Sequence, residues 1–540
     1  MAKRVQARWH SVRSAHSLPL GLPMLSAYSR LWSLYGLSLA LACSAMLAFW
    51  YVQGRSVALP DAVPMGQRLQ CASYSPFGKD QSPFEQPLSI RPAQLEQDLA
   101  LLSQQFSCLR TYSMTGLEGL PALARQHGLT LMLGAWVNNN PADTQKELDA
   151  LVAAANANPD VVSAVIVGNE VLLRKEATGE RMVELVRQVK ARVKQPVTYA
   201  DVWEYWTLYP QVAPEVDFIT LHLLPYWEDL PHPVATALDH VRAIHDDFVE
   251  RYGPKPVFIG ETGWPSQGRR RETAEPSPLD QARFVRGFVQ MAERLGWRYN
   301  LIEAIDQPWK RNNEGAVGGY WGMLDADRQD KGVLFGPVSN EPHWRGWLAL
   351  AAVILALTLA MAGRPRSPRA AVSLPWLGAL AGACLALWIR QAWIEARFPG
   401  EWAWAAGLAG LTLALLIDAS LTLGTPRGWR RPIAKGFEAW HGRLALAAGF
   451  AIAVETLWMV FDPRYRSFAT AGLLLPALLL AWRPASLPLP TARLLTAICV
   501  VGIPLQLTRE SWQNPYAWGW AMVVAVMAWT LGRGLRAHQA

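Results

Sequence analysis

Apolar residues are distributed in two ways along this chain. Between residues 54 and 343 they come in runs of six to ten residues separated by amphipathic stretches, whereas after residue 343 they form long runs of Leu, Ala, Val and Trp with few charges. Short runs alternating with amphipathic stretches predict buried parallel strands with covering helices. The strand candidates are 69–74, 108–113, 129–136, 161–170, 196–201, 217–224, 255–261 and 299–306, and the helix candidates include 92–105, 117–127, 142–156, 175–193, 233–252 and 278–295. Eight strand–helix units in about 280 residues fit an α/β fold of the (β/α)8 TIM barrel type better than an open doubly wound sheet.

The long runs predict membrane-spanning helices, since a hydrocarbon core about 30 Å thick needs about 20 apolar residues. Residues 31–52 carry no charge and form the first candidate, an anchor behind a basic cytoplasmic tail at 1–30. A cleaved signal peptide is the rival reading, disfavoured because the basic leader is long and no small-x-small cleavage site follows. Runs near 346–362, 372–394, 401–423, 441–461, 468–482, 491–507 and 515–532 give a second, all-α membrane region of about seven helices across 346–532. Basic residues favour cytoplasmic loops. Arg364, Arg366 and Arg369, then Arg427, Arg430, Arg431 and Lys435, then Arg483, then Arg533 and Arg536 fall on alternate loops. Arg397, Arg464, Arg466 and Arg509, on the other loops, stand mostly beside Glu395, Asp462 and Glu510. Both termini are therefore expected inside, and residues 54–343 outside the plasma membrane or in a periplasm. Asp418 and Glu455 lie within the spans, where an ionisable group is costly and often functional; a transport or substrate-handling role competes with anchoring and packing, and Asp418 could snorkel toward a span end.

Over 540 residues, 51% are apolar and 17% charged, which excludes a disordered chain. The net charge of +8 divides unevenly: residues 54–343 hold 28 basic and 36 acidic residues, leaving 23 basic and 7 acidic for the rest. The positive excess reports topology, so no nucleic-acid partner is needed to explain it. No Gly-x-Gly-x-x-Gly or Walker loop supports a nucleotide site. No Cys/His cluster has metal-ligand spacing, and no metal or cofactor is expected. Cys71 and Cys108 begin neighbouring strand candidates; a disulfide and two buried thiols are both open, since directly paired parallel strands rarely offer the required geometry. Cys43, Cys384 and Cys499 read as small fillers of apolar spans.

Active sites of such barrels form at the C-terminal strand ends, and here those ends are polar. Glu170 closes the fourth run and Glu261 the seventh, with Tyr74, Arg110, Tyr112, Trp136, Asn169, Asp201, His222, Asp306 and Gln307 at comparable rim positions. Two carboxylates about 5 Å apart across a barrel mouth suit a retaining glycosidase; the bland alternative is a rim salt bridge, for instance with Arg110. Trp203, Trp206, Tyr226, Trp227, Trp264, Trp309, Tyr320 and Trp321 could offer flat faces to sugar rings or simply pack.

The motifs VGNEV (167–171) and GETGWPS (260–266), with DQPWKRNNEG (306–315) and GGYWGML (318–324), resemble glycoside hydrolase family 17, over roughly residues 67–343. The resemblance implies a membrane-anchored bacterial type of enzyme acting on β-1,3-glucan. It makes Glu170 the acid/base, Asn169 a ligand of the sugar 2-hydroxyl and Glu261 the nucleophile. It also places Tyr74, Arg110, Tyr112, Tyr226, Trp264, Trp309, Lys310 and Glu314 on the substrate. The acidic residue that plant endoglucanases carry after the eighth strand aligns with Gln307. By the same resemblance a transglucosylase is expected, forming β-1,6 or β-1,3 linkages, with a lipid bilayer and a glucan synthase as partners; a hydrolase and an inactive glucan receptor are the alternatives.

Overall fold

A computed structural model describes residues 22–85, 88, 90–461 and 466–537. The basic tail up to residue 21, and Asp462 and Arg464 of one outer loop, lie outside the described residues. Eight strands, β1 (Leu69–Ser73), β2 (Phe106–Arg110), β3 (Thr130–Ala135), β4 (Val162–Asn169), β5 (Val197–Val202), β6 (Ile219–His222), β7 (Val257–Thr262) and β8 (Arg298–Leu301), pair in sequence order and close into an all-parallel barrel.

The alternation of side chains along each strand produces two separate apolar layers. Cys71, Cys108, Met132, Ala164, Ile166, Ala200, Phe218 and Phe258 fill the lumen. Residues of the opposite parity, such as Leu109, Leu131, Val165 and Ile259, meet Leu99, Leu148, Val186 and Phe284 of the helices outside. Four of the covering helices begin with proline or a side-chain cap. Pro92, Pro141 and Pro278 stand in first turns, while Asn140, Thr178 and Ser277 accept a backbone N–H from two or three residues ahead. The helix candidates at 92–105, 117–127, 142–156, 175–193, 233–252 and 278–295 correspond to Pro92–Leu102, Leu120–Gln126, Pro141–Ala157, Gly179–Lys190, Val234–Tyr252 and Pro278–Leu295. The eighth strand ends five residues before its apolar run does, because Glu303 leaves the sheet to pair its N–H with the carbonyl of Trp321.

Cys71 and Cys108 face each other in the β1–β2 register, 4.3 Å apart at Cα, and form a disulfide inside the barrel. Of the two readings the sequence left open, the bridge is the one adopted.

The chain leaves the helix Leu22–Gly54 and returns to the helix Trp344–Ala362 at one point. Val57 and Val338 exchange both backbone hydrogen bonds, 2.8 and 3.0 Å, and Ser339 donates to the carbonyl of Gly54. A Cβ on Gly54 would sit 1.9 Å from the Trp344 ring, so only glycine fits there. The first helix then packs on the next two through Ala42, Met46 and Trp50 against Ala351, Leu355, Ala379 and Ala386.

Among the described residues eight helices cover the eight apolar runs, six of them long and apolar enough to cross a membrane. Thr470–Trp482 has 13 residues, about 20 Å at 1.5 Å per residue, short of a full crossing. Large apolar side chains such as Leu37, Val353, Leu357, Phe450 and Leu494 point outward and exposed, as expected for a lipid-facing surface. Asp418 does not snorkel: it is buried, receiving His441 Nδ1 and Arg483 Nη1, each at 2.8 Å. Glu455 accepts the indole N–H of Trp404 at 2.6 Å.

The disulfide closes a loop of 37 residues, for which chain entropy gives about 3–4 kcal/mol of stability. Cys71→Ala/Cys108→Ala is expected to lower barrel stability by that amount in a thermal or denaturant titration. A non-reducing peptide map of the parent chain should recover the two cysteines linked.

Candidate active site

Local irregularities at three neighbouring strand pairs aim the polar residues into the mouth. The β4–β5, β6–β7 and β7–β8 ladders each slip in register near their C-terminal ends, and such bulges re-aim side chains. Gly168 and Glu170 have φ of +85° and +52°, so the chain turns sharply at the end of β4. Glycine meets the first requirement without cost; Glu170 holds a conformation that non-glycine residues seldom adopt, a recurrent property of functional positions.

At the centre stands Arg110, fully buried at the end of β2. Its Nη1 lies 2.5 Å from Glu261 Oε1, and its Nη2 donates to Asn169 Oδ1. His222, beside Glu261 in the β6–β7 register, contacts both acids: Nδ1 is 2.8 Å from Glu170 Oε1 and Nε2 is 3.6 Å from Glu261 Oε1. One oxygen of each carboxylate and a ring nitrogen of His222 all lie within 4.8 Å of one another. Below them Asn300 donates to Ser73 Oγ and to the carbonyl of Gly260, tying β8 to β1 and β7.

A second charged pair borders the first. Lys310 Nζ lies 2.8 Å from Glu303 Oε2 and 5.6 Å from the centre of the Tyr112 ring, over which Arg110 also sits at 4.6 Å. Burial would push the Glu261 carboxyl up, but His222, Arg110 and Lys310 together hold it below its ordinary 4.5. Burial prevails at Glu303, whose carboxyl is raised despite Lys310. At Lys310 burial opposes the charge, and Glu303, Tyr112 and Glu314 outweigh it, keeping the ammonium protonated. Burial and the surrounding acids Glu303, Glu170 and Glu261 lift Glu314 to about 7 against the pull of Lys310. Asp201, buried near Glu170, is likewise lifted to about 7.

Of the residues the sequence nominated, Arg110, Tyr112, Asn169, Glu170, Glu261, Lys310 and Glu314 gather here. Trp309 stands at the border, half-buried, its indole N–H on Gln307 Oε1 and Phe77 and Phe84 edge-on to its ring. Three nominations are corrected. Tyr74 turns outward from β1, is buried, and gives its hydroxyl to Asp98 on the helix Pro92–Leu102. Tyr226 is buried among Trp227, Trp264 and Trp321 with its hydroxyl on the carbonyl of Arg269. Trp264 has no exposed surface and donates to the carbonyl of Glu275. Each ring supports the loops around the mouth and presents no face to it. Gln307 gives its amide to the carbonyls of Ser75 and Ile305, and Glu303, two residues past the end of β8, is a further buried acid. Glu303 was legible only as an interior letter of the run YNLIEAID; His222, noted at the rim, joins both acids, a role its position at a strand end could have signalled.

Two sets of side chains among the described residues bring three metal-ligating atoms together, Glu170/His222/Glu261 and Glu228/His232/His240. In the first, a cation would have to displace the Arg110 guanidinium from Glu261.

A closed parallel barrel with two acids at its C-terminal mouth defines a glycosidase-like class of site. Residues 71–322, a little under half of the chain, match the BtgE/BtgC glycoside hydrolase domain, a domain of glycoside hydrolase family 17. Over 261 residues the chain is 28% identical to a glucan 1,3-beta-glucosidase of Arthroderma benhamiae, covering 44% of this chain and 83% of that protein. It is 27% identical over 249 residues to a glucan 1,3-beta-glucosidase of Schizosaccharomyces pombe, covering 43% and 77%. Among solved structures, a family 17 beta-1,3-glucanosyltransferase from Rhizomucor miehei is similar at 25% identity and a TM-score of 0.43, over 49% of this chain and 96% of that one.

Removing Arg110 would leave Glu261 buried without its partner, so Arg110→Leu is expected to destabilise the barrel by about 3–5 kcal/mol at pH 7. Adding Glu261→Gln should recover a measurable part of the loss, as the coupling in a double-mutant cycle of thermal unfolding. Because the folded-state carboxyl of Glu261 is depressed, this contribution is fully present above pH 4.5 and is lost only as the pH falls below that value.

Proposed function

We propose that this chain is a retaining, β-1,3-glucan-active transglucosylase working by double displacement. The observation that carries the reading is the spacing of Glu170 and Glu261, one oxygen of each lying within 4.8 Å of the other. Retaining enzymes hold their two carboxyl groups about 5–5.5 Å apart, whereas inverting enzymes leave about 6.5–9.5 Å for a water. Glu261 is the nucleophile: it is buried, ionised and aligned by Arg110. Glu170, the more accessible of the two and in contact with His222, is the acid/base. Arg110 and Asn169, with Tyr112, Trp309, Lys310 and Glu314, line the sugar site.

In the first step a Glu261 oxygen attacks the anomeric carbon, the glycosidic C–O bond breaks, and the departing oxygen takes its proton from Glu170. In the second, an acceptor hydroxyl gives its proton to Glu170 while its oxygen attacks the same carbon, and the ester to Glu261 breaks. The carboxylate is restored and a new glycosidic bond, β-1,3 or β-1,6, is made. With water as acceptor the same site is a hydrolase, the second reading, favoured by the glucosidase names of the relatives. Residues 67–343 form the catalytic domain on the outer face of a bacterial inner membrane. Residues 31–52 and 346–532 anchor it, and both termini are cytoplasmic. The basic alternation of the loops supports this sidedness, and the bridge between Cys71 and Cys108 fits an oxidising compartment. A glucan synthase in the same membrane supplies the chain that is remodelled.

Glu261→Gln is expected to lower turnover of laminari-oligosaccharides by about a thousandfold or more. The parent chain, incubated with a 2-deoxy-2-fluoro-glucoside, should gain the mass of one 2-deoxy-2-fluoroglucosyl unit on the peptide containing Glu261. Retained turnover by the variant excludes Glu261 as nucleophile. With Glu261 depressed, the acid limb of kcat/KM should lie below pH 4.5; a limb above pH 5 contradicts the assignment.

A further inference from the structure

The loops after β7 and β8 do not end in solvent. They lie against the outer ends of the apolar helices. On the first loop, Arg269 forms a buried ion pair with Glu510, at the end of the helix Leu489–Glu510, and its guanidinium stands 5.7 Å from the centre of the Phe468 ring. Glu275, farther along the same loop, accepts the hydroxyl of Tyr516 at 3.0 Å, and Arg270 lies over the Tyr516 ring. On the second loop, Arg311 and the hydroxyl of Tyr320 both donate to the carbonyl of Ile394, at 3.3 and 3.2 Å, in the last turn of the helix Pro368–Glu395.

The two loops are also joined to each other. Ser266 donates its N–H and its hydroxyl to the carbonyl of Tyr320. Gly268, at φ +117°, approaches Val317 so closely that a Cβ would meet its backbone at 2.8 Å. The segment between Pro308 and Tyr320 is thereby clamped on both sides, and it carries Lys310 and Glu314. Lys310 reaches Glu303 in the barrel mouth, and Glu314 is wedged against Gly318, whose absent side chain leaves 2.5 Å to the Glu314 Cβ.

We propose that the outer helix ends are part of the support of the catalytic centre, with Arg269, Arg311 and Tyr320 as positioning residues. Through them Glu510 and Ile394 fix the segment that presents Lys310 and Glu314 to the sugar. The membrane region then sets how well the glucan is bound, in addition to tethering the barrel. A buried ion pair is the sensitive element of the contact, because removing one partner strands the other charge. The functional half of this inference rests on the glucan-active reading above; the positioning half does not.

The test uses the full chain in detergent or lipid, as Glu510→Gln, Arg269→Gln and the exchange Arg269→Glu/Glu510→Arg. Hydrogen exchange of residues 308–320 is expected to speed up in both single variants and to return toward the parent in the exchange variant. Unchanged protection in the single variants overturns the inference whatever the enzyme does. With laminari-oligosaccharides, KM should rise about threefold to thirtyfold in the single variants, the range of coupling through a packed network, with kcat within about twofold, and the exchange should restore KM. A parent chain that turns over glucan alongside single variants of unaltered KM overturns the functional half. A parent chain without glucan turnover, together with altered exchange at 308–320, counts against the glucan-active reading and in favour of positioning by the membrane region.

Discussion

The active centre is organised around one buried cation. Arg110 has no exposed surface, and its guanidinium is shared between Glu261 on β7 and Asn169 on β4, with Ser73 of β1 within reach. A charge in that position is tolerable only with a carboxylate against it. The pairing therefore dictates that β2, β4 and β7 present their ends to a common point. It also leaves Glu261 ionised in a place where burial alone would protonate it. His222 completes the arrangement by touching both acids, so the two carboxyl groups, on strands three apart in the barrel, are separated by little more than one imidazole. The second pair, Lys310 with Glu303, repeats the device on the β8 side and adds positive potential toward Glu261.

How much of this was legible follows from what each residue does. The eight apolar runs became eight strands because parallel strands buried on both faces need near-continuous apolar sequence. Glu170 and Glu261 were legible because each ends an apolar run, which places it at the C-terminal mouth of the barrel where active sites form. Tyr74, Tyr226 and Trp264 were misread for a related reason. A rim position fixes where the Cα lies, while the direction of the ring depends on strand parity and on loops folding back from far along the chain. The hydroxyl of Tyr74 found Asp98, and Tyr226 found the carbonyl of Arg269, both invisible in local sequence. Glu303 was missed because the eighth strand stops at Leu301 and the chain turns to meet Trp321, a long-range contact that the run YNLIEAID does not encode.

In the helical half, hydropathy located all eight helices but said nothing of their internal polar contacts. Asp418 looked able to reach water, yet it is enclosed by His441 and Arg483, the latter from a loop that charge counting had assigned to the same side. Ionisable groups within apolar helices are expected to pair with one another in this way. His441 stands on the next helix and Arg483 just beyond the end of a later one, contacts that periodicity cannot nominate.

The backbone bridge between Val57 and Val338 gives the architecture a further property. Because the chain departs from the first helix and rejoins the second at one closed junction, the whole barrel is an insertion between two neighbouring helices. Topologically the bundle beneath is a run of helical hairpins whose first turn happens to be some 290 residues long. Loop closure becomes only slowly more costly with length, and here the junction itself carries that closure. The helices could accordingly exist with a tight turn in place of the barrel, and a barrel of other specificity could be grafted at the same junction without altering the thread of the chain below.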